Sequence, residues 1–99
     1  MLMPSRDYTH LSYQVIADVA RMVDNHLKSG WIIRIEYTVE IEYRNTRWEQ
    51  WGKPFFKIEE PDEVVDSIFE CHQNKPLCSI RLHAEKMHPV SRLYYSILS

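Results

Sequence analysis

Apolar residues recur at helical spacing in the first third of the chain. The recurrence predicts a helix over residues 12–29, because positions three and four apart lie on one face of a helix. The predicted buried face consists of Ile16, Val19, Ala20, Val23 and Leu27. Ser12 can cap the free N–H groups of the first turn, and Gly30 suits the left-handed residue that follows a helix. Core packing accounts for this stripe without any ligand.

From Trp31 onward, apolar residues recur at every second position. Apolar residues alternate with polar ones over residues 31–43, which predicts a strand of thirteen residues. Its first half is expected to pack on the helix and its second half to project beyond it. A turn over residues 44–46 leads to a second strand over residues 47–52. Pro54 cannot donate a ladder hydrogen bond, so it should end that strand or lie on a sheet edge.

The second half of the chain repeats this order of elements. A helix is predicted over residues 61–74, opened by Pro61 and by acidic side chains at the positive end of its dipole. Strands are predicted over residues 78–85 and 91–98, joined by a turn at residues 87–89. The predicted buried residues of this half are Val64, Val65, Ile68, Phe69, Cys71, Cys78, Ile80, Leu82 and Ala84.

The order of elements is therefore α-β-β-α-β-β. Such a pattern predicts an α+β fold, a two-layer sandwich in which a four-stranded antiparallel sheet carries both helices on one face. With 99 residues, we expect one domain that spans 1–99, with residues 1–10 as an N-terminal arm.

Composition and charge narrow the classes of function. The formal net charge of −2 lacks the concentrated basic face that phosphate binding needs, so no nucleic-acid partner is expected. No apolar run approaches the roughly 20 residues of a membrane span, so no membrane partner is expected either. The first residues lack the apolar core of a signal peptide. We expect a bacterial cytoplasmic protein or a mature form.

The parts of an active site are sparse. With two glycines the chain cannot form a phosphate-binding glycine loop, and its five histidines are scattered over different elements. Glu36, Glu40 and Glu42 share one strand face and could form an acid–base pair. We expect them instead to be solvated, or paired across strands with Arg34, Arg44 or Arg47. The pattern argues against catalysis by this chain alone.

Cys71 and Cys78 do not have the spacing of a zinc knuckle or a redox pair. A metal site with His72 and His83 is conceivable, but a closed zinc site needs four suitably spaced ligands. We expect two reduced thiols that act as small core hydrophobes.

The predicted hairpin is rich in aromatic residues, which indicates a partner interface. Trp48 and Trp51 lie three residues apart, are expected on opposing faces of the second strand, and are followed by Phe55 and Phe56. Interfaces are enriched in tryptophan, tyrosine, phenylalanine and arginine. A core role for one tryptophan stays open, with at least one expected in the interface.

Several segments of this hairpin resemble the small subunit of ribulose-1,5-bisphosphate carboxylase/oxygenase (RuBisCO). They are Gly30-Trp31, Ile35-Glu36-Tyr37-Thr38 and the run R-N-T-R-W-E-Q-W-G-K-P-F-F at residues 44–56. The interval after Thr38 is similar to the short loop between the first two strands in bacterial members. Further on, Glu70-Cys71 and Ile80-Arg81 match segments of the same family, so the resemblance covers about residues 11–97.

The resemblance implies a non-catalytic subunit. Family members cap an octamer of large subunits, with eight large and eight small chains, and support CO2 fixation in the Calvin cycle indirectly. No cofactor is expected on this chain, because Mg²⁺ and the carbamylated lysine belong to the large subunit. The predicted partner interface consists of Glu36, Tyr37, Val39, Ile41, Tyr43, Arg44, Asn45, Trp48, Trp51, Pro54 and Phe56.

Two other functions stay open at this point. One is a small-subunit-like adaptor that binds assembled RuBisCO for a carboxysome or condensate, which would give a carboxysome scaffold as partner and a carboxysomal location. The other is a free-standing regulatory homo-oligomer joined through its exposed sheet.

Overall fold

Two helices and four strands follow one another in the order α-β-β-α-β-β. The structure, a computed structural model, describes residues 13–27, 30–39, 46–57, 60–87 and 90–98. The predicted arm, the Ser12 cap, and residues 44–45 and 88–89 of the two predicted turns lie outside the described residues.

Helix α1 spans Tyr13–Met22 and continues as a π-helical turn over Val23–Leu27. The sequence predicted one α-helix here, and the π turn is the difference. Val19, Val23 and Leu27 are four residues apart and all buried. An α-helix has about 3.6 residues per turn, so side chains four residues apart are rotated progressively around the helix, away from the core. The wider π-helical turn reverses this rotation and keeps the three side chains on the buried face. Gly30 has a positive φ of 77°, as its predicted position after the helix requires.

The sheet is antiparallel, with strand order β2-β1-β3-β4. Its strands span Ile32–Thr38 (β1), Glu49–Phe56 (β2), Ser79–Met87 (β3) and Val90–Leu98 (β4). The helix-facing side carries the buried alternate positions of the inner strands, with Ile33 of β1 opposite Ala84 of β3 and Ile35 opposite Leu82. The fold class predicted from the sequence is confirmed.

Strand β1 is shorter than predicted. It ends at Thr38, and Val39 lies in a bend, so the prediction of a thirteen-residue strand is wrong. In the registers of the sheet, Tyr37 pairs with Glu49, the first residue of β2, and Thr38 pairs with Ser79, the first residue of β3. Both ladders end there among the described residues, and residues 40–43 of the predicted strand lie outside them.

Strand β2 is longer than predicted, because a bulge lets it pass Pro54. Ile35 pairs with Trp51 and Ile33 with Phe55, so residues 52–54 lie opposite a single residue of β1. Gly52 adopts the positive φ of 70° that such a bulge favours. Pro54 therefore has no ladder bond to donate there, and β2 is an edge strand, which confirms the edge alternative for this proline.

Helix α2 spans Asp62–Asn74, with Pro61 at its N-cap position. It packs with α1 over the sheet, and both helices contribute to one hydrophobic core. Both cysteines are buried, as predicted, and both are free thiols. The core comprises Val19, Val23, Leu27, Ile33, Ile35, Val64, Val65, Ile68, Cys71, Ile80, Leu82, Ala84 and Ile97.

Candidate partner interface

The sheet face opposite the helices carries charged and aromatic side chains, and we call it the open face. Since side chains alternate along a strand, it is formed by the residues between the buried positions. Those that make the contacts described below are Arg34, Glu36, Arg81, His83, Glu85, Arg92 and Tyr94, together with Trp48 just before β2.

Arg81 lies at the centre of the open face, between two aromatic rings. Its Cζ atom is 4.1 Å from the ring centroid of Trp48 and 4.4 Å from that of Tyr94. The register explains the arrangement: Glu36, the neighbour of Arg81 across β1–β3, pairs on its other side with Gln50, two residues after Trp48. Guanidinium groups stack favourably on aromatic faces. The two rings therefore hold this guanidinium in a fixed plane.

Glu36 joins the stacked arginine to a histidine. Arg81 Nε donates a hydrogen bond to Glu36 Oε1 at 2.8 Å, and His83 Nδ1 lies 3.1 Å from Glu36 Oε2. Glu36 was expected to be solvated or paired with Arg34, Arg44 or Arg47; instead β3 lies beside β1 and places Arg81 opposite it, while Arg44 lies outside the described residues. Both carboxylate oxygens of Glu36 are thus engaged within the chain.

His83 completes this cluster. Its ring lies 4.6 Å from the ring of Tyr94, centroid to centroid, at 31°. Its Nε2 atom is buried and has no hydrogen-bond partner in the described part of the chain. A buried ring nitrogen without a hydrogen-bond partner is energetically costly.

A second ion-pair group lies further along β3. Glu85 Oε1 is 3.3 Å from Arg34 Nη1, and its Oε2 is 3.3 Å from Arg92 Nε. Burial on its own would raise the pKa of Glu85, but the hydrogen bonds and positive charges of Arg34 and Arg92 outweigh it. The pKa of this carboxyl therefore lies below its ordinary value of 4.5.

The other tryptophan of the motif lies on the helix-facing side. Trp51 is half-buried against the core, and its ring meets that of Tyr37 edge to face at a centroid distance of 6.1 Å. Lys75 Nζ lies 5.4 Å from the centroid of the Tyr37 ring. Trp48 and Trp51 thus lie on opposing faces of the sheet, as predicted, and Trp51 has the core role that the sequence left open for one of them.

The remaining predicted interface residues fall into two groups. Val39, Pro54 and Phe56 are exposed, with Val39 at 74% and Phe56 at 58% of full exposure. These are large apolar side chains that a partner could cover. The other group, Ile41, Tyr43, Arg44 and Asn45, lies outside the described residues.

Sequence reasoning missed three central residues of the open face: Arg81, His83 and Tyr94. A signal for them exists, because Arg81 and His83 alternate with buried residues of β3 and so share a face. Reading it requires the strand order, which places β3 beside β1, and the hairpin pattern alone does not give that order.

Neither a metal-binding cluster nor a membrane-spanning helix occurs in the described residues. No group of three or more histidine, cysteine, aspartate or glutamate side chains there could hold a metal ion. None of the helices in the described ranges has the length and apolar character needed to span a membrane.

Comparison with known proteins identifies the family. Residues 8–97 match the family model described as "Ribulose bisphosphate carboxylase, small chain". The chain belongs to the RuBisCO small-chain family. The RuBisCO resemblance seen in the hairpin motif is thereby confirmed, whereas the short-loop bacterial sub-type stays a prediction.

Individual relatives carry the same description. The chain is 36% identical over 66 residues to the "Ribulose bisphosphate carboxylase small subunit" of Cereibacter sphaeroides, with 67% of this chain and 51% of that protein covered. The protein of the same description from Sinorhizobium medicae gives the same identity and coverage. The one from Olisthodiscus luteus is 29% identical over 77 residues, with 78% and 55% covered. The chain thus spans about half the length of these curated relatives.

The fold is also similar to that of a solved structure. The chain described as "RUBISCO FROM GALDIERIA PARTITA" superposes with a TM-score of 0.75 at 24% identity. The superposition covers 84% of this chain and 62% of that one. At this identity the likeness supports the fold assignment.

Proposed function

We propose that this chain is a non-catalytic small subunit of RuBisCO that caps and stabilises an octamer of large subunits. The match of residues 8–97 to the small-chain family carries the proposal. In this role the chain supports CO2 fixation in the Calvin cycle without an active site of its own. We further propose a complex of eight large and eight small chains, located in a bacterial cytoplasm or in a carboxysome within it.

The surface chemistry supports a role in assembly. Large apolar side chains are exposed at Val39 and Phe56, and the open face presents aromatic rings and arginines. Aromatic and arginine side chains are the groups that contribute most at protein interfaces. No cofactor is proposed for this chain, and Mg²⁺ and the carbamylated lysine are assigned to the large subunit.

Co-expression tests the proposal. This chain would carry an affinity tag and be produced together with a form I RuBisCO large subunit. The large subunit should co-purify, and the purified complex should fix CO2, whereas the tagged chain alone should not. Recovery of the tagged chain without any large subunit would contradict the proposal.

A matched pair of variants tests where the contact lies. Phe56 belongs to the predicted interface and Leu77 does not, yet both are large, exposed apolar residues. Phe56→Ser should weaken the complex about tenfold, since removal of one buried apolar side chain costs roughly 1.5 kcal/mol. Leu77→Ser should leave the affinity within about twofold, the scale of ordinary surface substitutions. Equal effects of the two changes would place the contact elsewhere.

A further inference from the structure

Ion pairs on the strands of the open face involve more positively charged than negatively charged side chains. Three arginines (Arg34, Arg81 and Arg92) face two carboxylates. Glu85 pairs with Arg34 and Arg92, and Glu36 pairs with Arg81 and His83. Every carboxylate oxygen of these two residues is therefore matched inside the chain, while arginine N–H groups are left over.

The unmatched N–H groups belong above all to Arg81. Its Nε atom is bonded to Glu36, and in the described part of the chain its terminal nitrogens make no hydrogen bond. The rings of Trp48 and Tyr94 lie 4.1 and 4.4 Å from its Cζ atom and Glu36 takes its Nε, so the terminal nitrogens are the donors left for a partner. The guanidinium edge that carries them has the planar fork that binds a carboxylate through two parallel hydrogen bonds.

The stack also lowers the cost of binding. A free arginine side chain must lose rotamer freedom before it can hold a partner group. Here two rings and one carboxylate already fix its position, and its side chain is only 25% exposed. By contrast, the Arg92 side chain is 60% exposed, and its ion pair with Glu85 is at 3.3 Å.

We propose that Arg81, held between Trp48 and Tyr94, binds a carboxylate side chain of the RuBisCO large subunit. The inference rests on the proposed function and deepens it, because it names the docking point and the chemistry of the partner group. Charge complementarity carries it: the open face has its own carboxylates saturated and one pre-oriented guanidinium edge unfilled.

The test uses the complex formed by co-expression with a form I large subunit. Arg81 is changed to Lys, Met or Glu, and the same three changes are made at Arg92 as a matched control on the same face. Native mass spectrometry of a dilution series then gives the concentration at which small chains leave the large-subunit octamer. Circular dichroism of each isolated variant reports whether it is folded.

The expected result is a graded loss at position 81. Arg81→Met should weaken the complex about 30-fold, the equivalent of roughly 2 kcal/mol for one truncated charge pair. Arg81→Lys should weaken it about fivefold, because a point charge replaces a planar fork, and Arg81→Glu should prevent assembly by repulsion. The three changes at Arg92 should each stay within about threefold, as for exposed ion pairs.

Several outcomes would overturn the inference. One is that none of the changes at position 81 weakens the complex. Another is that the changes at positions 81 and 92 weaken it equally. A dimer of the isolated chain that weakens in the same Lys, Met, Glu order would show that the occupant is a second copy. If Met or Glu at this position prevents folding, Arg81→Lys decides: a loss of threefold or more supports the inference, and no loss rejects it. Failure of the unchanged chain to assemble would instead reject the proposed function.

Discussion

Glu36 accepts a hydrogen bond from Arg81 across β1 and β3, at 2.8 Å between Oε1 and Nε. Its other oxygen lies 3.1 Å from His83 Nδ1. Glu36→Gln would remove the charge while keeping the shape, and would leave a largely buried arginine unpaired. The free energy of unfolding should fall by about 1.5–3 kcal/mol, the range for hydrogen bonds to charged groups.

Urea denaturation of the isolated chain measures that change. Glu49→Gln is the matched control, because Glu49 lies on the neighbouring strand, is exposed and makes no ion pair in the described part of the chain. Its stability should stay within about 0.5 kcal/mol of the unchanged chain. Equal losses for the two variants would show that the Glu36 pairings contribute nothing specific.

The two tryptophans of the motif should respond differently to truncation. Trp51 packs against the core and against Tyr37, so Trp51→Ala should lower the free energy of unfolding by about 2–3 kcal/mol. Trp48 lies over Arg81 on the open face, so Trp48→Ala should cost only about 1 kcal/mol of stability. Chemical denaturation compares them, and a larger loss for Trp48→Ala would contradict the assignment of the two residues to their faces.

The cysteines should be unreactive in the folded chain. Burial, with a smaller contribution from the nearby Cys78, raises the pKa of Cys71 to about 12, while Lys75 opposes the shift. The ordinary value is 9.0, so the protonated thiol is favoured by folding, and this contribution is lost as the pH rises from 9 towards 12. Ellman's reagent at neutral pH should label neither cysteine within minutes, and both in urea. Rapid labelling of the folded chain would place a thiol at the surface.

Acid should weaken the ion-pair group around Glu85. Arg34 and Arg92 lower the pKa of Glu85 below 4.5 in the folded chain, against the effect of burial. The charged carboxylate therefore stabilises the fold above about pH 4.5, and this contribution is lost as the pH falls through the lower, folded-state pKa.

Unfolding free energies of the unchanged chain and of Glu85→Gln should accordingly converge between about pH 6 and pH 3. Glu60→Gln serves as the control, because Glu60 is exposed. A difference between Glu85→Gln and the unchanged chain that stays constant with pH would mean that the charge of Glu85 is not what stabilises the sheet.

Periodicity was sufficient for most of the fold. The stripe of Val19, Val23 and Leu27 and the alternation of Ile33 and Ile35 gave the helix and strand faces correctly. Periodicity does not show which strands pair with each other in the sheet. Strand β1 stops at Thr38, opposite the first residues of β2 and β3, and the sequence of β1 alone does not show where those strands begin.

The candidate site, too, could be predicted only in part from the local sequence. Trp48 and Glu36 could be selected from the local motif, since both lie in the hairpin. Arg81, His83 and Tyr94 come from strands more than forty residues further along the chain, and only the order β2-β1-β3-β4 brings them to Glu36. The family resemblance supplies the partner class on which the proposal rests, but it does not show which arginine is stacked on the open face.

Native mass spectrometry of the complex with a form I large subunit tests the central claim most directly. The account predicts one species whose mass corresponds to eight large and eight small chains, and the loss of small chains when Arg81 is replaced by Glu. A large-subunit octamer that carries no copy of the unchanged chain, at concentrations where both proteins are folded, would contradict it.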